Sequence, residues 1–170
     1  MKKRLMVDIE TTAIGTDAAV WQIGYHEIGG EYSGIFNLNP YDQERNVNPD
    51  TVEWLRDNAP DWNILEPMFN SFFPSKAILK AFDEKVRGEE FDEIWCKGAD
   101  FDFAILRSIY AQYYHPLPWH YRKQCCMRSF LNTFPEFEID FSEQQSHNAE
   151  YDAKVQAECI EKILRHLGRF

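Results

Sequence analysis

The sequence predicts an α/β fold: a mixed central sheet that begins with three antiparallel N-terminal strands and carries flanking helices. Three observations lead to this. The apolar run Leu5-Met6-Val7-Asp8-Ile9 is followed by two further strand-like segments that meet at Gly29-Gly30. A second central apolar stretch, Phe91 to Lys97, leads into apolar positions at helical spacing. The C-terminal stretch holds the clearest amphipathic helix of the chain.

In chain order, the first apolar run reads as a buried strand. Val20 to Ile28 and Tyr32 to Leu38 follow as strands joined across Gly29-Gly30, a strong hairpin-turn signal. Asn48-Pro49 reads as an N-cap followed by proline at the first helical position, starting a helix through about Asp57; a second short helix is expected after Pro60. Ser75 is expected to cap a third, in which Ile78, Phe82 and Val86 line one face before Gly88 stops it. The next strand contains Ile94, Trp95 and Cys96 and is broken at Gly98. Asp102 then opens a helix in which Phe103, Leu106 and Tyr110 recur at helical spacing. A short strand near Cys125 precedes the last helix, from about Asn148 to Leu167. Its stripe comprises Ala149, Ala153, Val155, Gln156, Ala157, Ile160, Ile163, Leu164 and Leu167, and Gly168 stands just beyond its end. No internal repeat or low-complexity linker interrupts this order. A length of 170 residues, 44% of them hydrophobic and 15% aromatic, suits one domain spanning 1–170.

Four acids and one histidine carry the chemistry. Side chains two apart on a strand face the same way, so Asp8 and Glu10 project together. Their mutual repulsion and desolvation are relieved most simply by a hard cation such as magnesium or manganese, although a solvated strand end shows the same pattern. Asp102 stands where a helix-start residue would also be an acid, and Asp100 competes with it for any ligand role. Asp152 lies one turn into the last helix. Residues five apart on a helix diverge by roughly 140°, which places His147 on the loop leading in, near solvent, as a proton acceptor requires.

These residues resemble, in order, the three motifs of the DnaQ-like (DEDD) 3′-to-5′ exonuclease superfamily in its histidine-containing DEDDh branch. Asp8-Ile9-Glu10-Thr11-Thr12 matches motif one; Phe101-Asp102 with Leu106 matches motif two; His147 with Asp152 matches motif three. The tyrosine branch needs Tyr four residues before the last Asp, where Asn148 stands here. Asn48-Pro49-Asp50-Thr51-Val52-Glu53-Trp54-Leu55 is similar to an Asp-Thr-x-x-Trp segment of the phage DexA-type and Rv-type small exonucleases. Two features depart from the pattern: Cys126-Met127-Arg128-Ser129 replaces an Asp-x-Arg-Thr-like strand, and motif two lacks its usual upstream Asn.

The resemblance implies a ribonuclease H-like fold and two divalent ions, Mg²⁺ or Mn²⁺, held by Asp8, Glu10, Asp102 and Asp152, with His147 as general base. The implied reaction is hydrolysis of the 3′-terminal phosphodiester of single-stranded nucleic acid to nucleoside 5′-monophosphates. Phage-type kinship leans towards DNA, the slightly favoured substrate, and Rv-type kinship towards RNA; the alternatives are an exoribonuclease acting on RNA 3′ ends and a non-catalytic nucleic-acid-end or protein-binding relative. Trp54 is the preferred aromatic for lining the substrate cleft, and Thr11 and Thr12 are candidates for hydrogen bonds to a terminal nucleotide. Many relatives form dimers, so a homodimer is open.

A net charge of −10 opposes an extended nucleic-acid track but fits a short footprint, because the ligand acids account for four of the negative charges and the ions neutralise phosphate. Arg107, Arg122, Lys123, Arg128, Arg165 and Arg169 are candidates for a phosphate-facing rim. Cys96, Cys125, Cys126 and Cys159 show no CxxC spacing, which favours reduced, packed thiols in the cytoplasm. The run behind Met1-Lys2-Lys3-Arg4 is too short for a signal peptide, and no membrane-length apolar stretch occurs.

Overall fold

Strand β1 (Arg4–Thr11) lies at the centre of a five-stranded sheet of order β3-β2-β1-β4-β5. β2 (Val20–Glu27) and β3 (Ser33–Asn37) form the antiparallel side; β4 (Glu93–Cys96) and β5 (Gln124–Cys126) run parallel to β1 on the other. The expected mixed sheet with three antiparallel N-terminal strands is therefore present. The computed structural model describes residues 2–59, 62–66, 69, 73–139 and 147–170. Pro60, before the second helix, falls outside them.

The period-two rule explains how β1 holds two cores apart. Leu5, Val7 and Ile9 face one layer, with α3 (Ser75–Arg87) and α4 (Asp102–Gln112) packed over them through Leu79, Phe82, Val86, Phe103, Leu106 and Ile109. Met6 faces the opposite layer, where α6 (Ala149–His166) contributes Ala153, Ala157, Ile160 and Ile163, beside Trp95 from β4. Asp8 and Glu10 continue the Met6 parity, so the two carboxylates emerge beneath the N-terminal end of α6. A strand covered on both faces reads as a continuous apolar run, which is why β1 was legible as central.

Helices α1 (Pro49–Asn58) and α2 (Trp62–Leu65) build a third cluster with Trp21. The β1–β2 register shifts there: Glu10 pairs with Gln22 but Thr11 with Val20, leaving Trp21 as the extra residue of a bulge. The α1 cap is as expected, with the Asn48 side chain accepting from the Asp50 amide and Pro49 at the first position. The start of α3 differs from expectation. Ser75 is its first residue, Pro74 occupies the cap without a side-chain bond, and the Ser75 amide and hydroxyl both donate to the Asp42 carboxylate. A carboxylate distant in sequence thus does the capping, which local pattern cannot show. Helix α5 (Met127–Leu131), directly after β5, was also not anticipated. Among the described residues, no helix is long and apolar enough to cross a membrane.

Candidate functional site

Three of the four acids converge. Among the described residues, one oxygen from each of Asp8, Glu10 and Asp152 lies within 4.8 Å of the other two. β1 supplies the first two from one face, and α6 supplies the third from its first turn. The helix is started by Asn148, whose side chain accepts from the Glu150 and Tyr151 amides at 3.1 Å. Two features of β2 seat this helix end. Gln22, fully buried, accepts from the Ala149 amide at 3.2 Å, and Gly24, directly opposite Asp8, has no side chain to hold the helix backbone away.

Asp102 stands outside that triad but acts on it. It is 5% exposed at the start of α4, and its carboxylate accepts from the Gly98 amide at 3.0 Å. Burial raises its pKa to about 6, against hydrogen bonds from the Gly98 and Asp102 amides and the Cys96 thiol. Asp100, the competing acid, is exposed. Burial, and then the charges of Asp102, Glu10 and Asp152, push the Asp8 carboxyl well above the ordinary range. Burial and the Glu10 charge raise Asp152 to about 7, while the neighbouring His147 and Lys97 oppose the rise.

Such a cluster suits a hard divalent cation. Among the described residues the buried Asp152 Oδ1 finds no hydrogen-bond partner, three carboxylate oxygens converge, and burial together with the neighbouring charges raises the proton affinity of Asp8 and Asp152. A cation replaces those protons and relieves the repulsion at once.

His147 sits in the turn before α6, as its spacing from Asp152 predicts. Its backbone is left-handed, φ 66°, an uncommon state for a non-glycine residue that is concentrated at functional sites. Its Nδ1 is 3.9 Å from the Glu10 Oε2, and that carboxylate raises the imidazole's proton affinity against partial burial. The Trp54 ring meets the His147 ring edge-on, with centroids 4.9 Å apart, and Trp54 remains 48% exposed. An aromatic face therefore borders the acids. The two threonines are turned into their own loop: Thr11 Oγ1 donates to the Ala13 carbonyl, and fully buried Thr12 lies against the Ala19 and Asn46 carbonyls at 3.3 and 3.1 Å.

Sequence reasoning missed two residues here. Lys97, read as the end of a strand, places its charge where it lowers the proton affinity of both His147 and Asp152. Gln156 was counted within the apolar stripe of α6, yet its Nε2 donates to the Asp8 Oδ1 at 2.7 Å. Its position four residues after Asp152, one helical turn on, was the available signal. Of the candidate rim cations, Arg128 lies over Gly98 beside the Asp102 loop. Arg165, thirteen residues and roughly 20 Å along α6 from Asp152, pairs instead with Glu161 at the far end, and Lys123 donates to the Phe91 carbonyl.

Comparison with known proteins identifies the fold. The nuclease domain of 3′hExo, a DEDDh family member solved bound to rAMP, superposes with a TM-score of 0.73 at 10% identity, covering 99% of this chain and 94% of that one. Exonuclease X, solved with 5′ overhanging duplex DNA, gives 0.56 at 17% identity over 97% and 93%. These likenesses establish the ribonuclease H-like fold of the DEDDh exonucleases. No curated protein matches. The model of the 3′-5′ exoribonuclease Rv2179c-like domain matches residues 3–164, and with that match over almost its whole length the chain belongs to this family of 3′-5′ exonucleases.

Proposed function

We propose that residues 1–170 act as one domain that removes nucleotides from the 3′ end of single-stranded nucleic acid, releasing nucleoside 5′-monophosphates. The observation that carries this reading is the convergence of Asp8, Glu10 and Asp152 beneath His147, with Asp102 close enough to repel Asp8. Asp8, Glu10 and Asp152 would hold one divalent ion, and Asp8 with Asp102 a second. When bound, two such ions activate water and stabilise the entering and leaving oxygens of an in-line displacement. His147, half-buried in the turn before α6, accepts the proton of the attacking water, and Glu10 stabilises the imidazolium that results.

Trp54 offers its exposed face to a terminal base, and the hydroxyl oxygen of Thr11 remains an acceptor for the terminal sugar. Thr12 contributes by holding the loop that carries Thr11. Lys97 and Arg128 supply local positive charge for phosphate on a chain of net charge −10, which favours a short footprint. The family's description as exoribonucleases supports RNA over the DNA lean of the phage-type resemblance.

The test is a time course on 5′-labelled single-stranded RNA and DNA of matched sequence, with Mg²⁺, Mn²⁺ or chelator. A metal-dependent ladder shortening from the 3′ end, faster on RNA, is expected. Absence of shortening on either substrate, with metal bound, refutes catalysis and leaves a binding module.

A further inference from the structure

We infer that Gln156 is a positioning residue for the metal site: it fixes the Asp8 carboxylate by occupying one of its oxygens, leaving the other directed at the cation. This inference rests on the metal-site reading proposed above.

The geometry is unusual for a helix residue in an apolar stripe. Gln156 is 1% exposed and Asp8 8%, and their side chains meet at 2.7 Å, within the range of a charge-assisted hydrogen bond. With Asp8 ionised, as a metal ligand must be, only the amide nitrogen can face it, because the flipped amide would set two acceptor oxygens against each other at that distance. The outcome is that the Gln156 Oε1 is left buried and finds no hydrogen-bond partner among the described residues. An orphaned buried acceptor is costly, and an apolar residue of the same shape would avoid the cost entirely. Helix α6 nevertheless places a glutamine there, one turn after Asp152, so the same helix delivers a ligand and the donor that orients another ligand on a different element.

Gln156→Met tests this, since methionine keeps the length and volume, removes the donor and removes the orphaned oxygen. The inference expects opposite effects on stability and function. The metal-free variant should melt at or above the wild-type temperature, while its Mn²⁺ affinity by calorimetry falls about 10- to 100-fold, the usual cost of losing a group that orients a metal ligand. Turnover at low Mn²⁺ should fall with it and recover as Mn²⁺ is raised, with the oligonucleotide KM unchanged. Gln156→Leu carries the same test should the methionine variant fold poorly. Mn²⁺ affinity within twofold of wild type in a folded variant overturns the inference, as does an activity loss that added Mn²⁺ does not restore. Failure of the wild-type protein itself to bind Mn²⁺ refutes the metal-site reading instead.

Discussion

Gly24→Ala examines the seat of α6 most sharply. Gly24 lies across the strand pair from Asp8, and a Cβ built there stands 2.0 Å from both C and O of Ala149 and 2.4 Å from the Glu150 nitrogen. These are backbone atoms of the helix start, so no side-chain rotation relieves the clash. Restoring ordinary contact at 3.4 Å requires the helix end to withdraw by about 1.4 Å, since packed interiors do not absorb such an overlap. That displacement takes the Ala149 amide, now 3.2 Å from Gln22, out of hydrogen-bond range. The cost is about 1–3 kcal/mol for overpacking and about 1 kcal/mol for the lost bond. For a chain of this length that lowers the melting temperature by roughly 5–15 °C. Asp152 retreats from Asp8 and Glu10 with the helix, and a misplacement of about 1 Å in a catalytic constellation costs on the order of 100-fold in rate. The assay pairs thermal unfolding with exonuclease rate, using Gly88→Ala as the control. Gly88 has a right-handed φ of −64° and its added Cβ meets nothing nearer than the Glu84 carbonyl oxygen at 3.3 Å, so that variant should lose far less stability than Gly24→Ala and keep its activity. A Gly24→Ala protein that melts within about one degree of wild type and retains activity would refute the reasoning.

Other outcomes follow from the same geometry. His147→Ala should lose about 10²- to 10⁴-fold in turnover while keeping its Mn²⁺ affinity, whereas Asp8→Ala loses both; an unchanged calorimetric isotherm for Asp8→Ala contradicts the division of roles. Trp54→Ala should raise KM about 5- to 150-fold, matching roughly 1–3 kcal/mol of base stacking, with Trp54→Phe restoring most of it. Stability of the metal-free protein should fall as pH rises from about 4 to 7. The folded-state pKa values of Asp102, about 6, and Asp152, about 7, both lie above the ordinary 3.8, so their favourable contribution is complete below that value and is lost as each ionises. For the buried Asp102 this amounts to about 3 kcal/mol. Melting curves with and without Mg²⁺ should therefore diverge towards pH 8, and a metal-induced increase independent of pH contradicts the linkage.

What was legible in the sequence was whatever repeats with the period of its element. β1 carried its assignment in unbroken apolar character, and its two acids fell on one face because strand parity allows nothing else. α6 announced itself by its stripe, and the five-residue gap from His147 to Asp152 correctly separated a loop residue from a helical one. What stayed hidden depends on contacts between distant segments. Ser75 looked like a cap because serine often is one, yet Asp42 performs the task from another part of the chain. Gln156 looked like a tolerated polar residue on an apolar face until Asp8 was placed beneath it. Thr12 carries the motif-one pattern, but its burial follows from the loop at Asn46, which no local signal foretells. Lys97 belongs to the site only because β4 runs parallel beside β1.

The central claim, that three carboxylates from β1 and α6 form a divalent-metal site, is tested most directly by anomalous diffraction from crystals soaked in Mn²⁺. The account predicts a peak in coordination contact with Asp8, Glu10 and Asp152, and a second about 3.5–4 Å away on the Asp102 side when a nucleotide is also bound. Mn²⁺ bound elsewhere, with these carboxylates left uncoordinated in crystals that still cleave substrate, would contradict it.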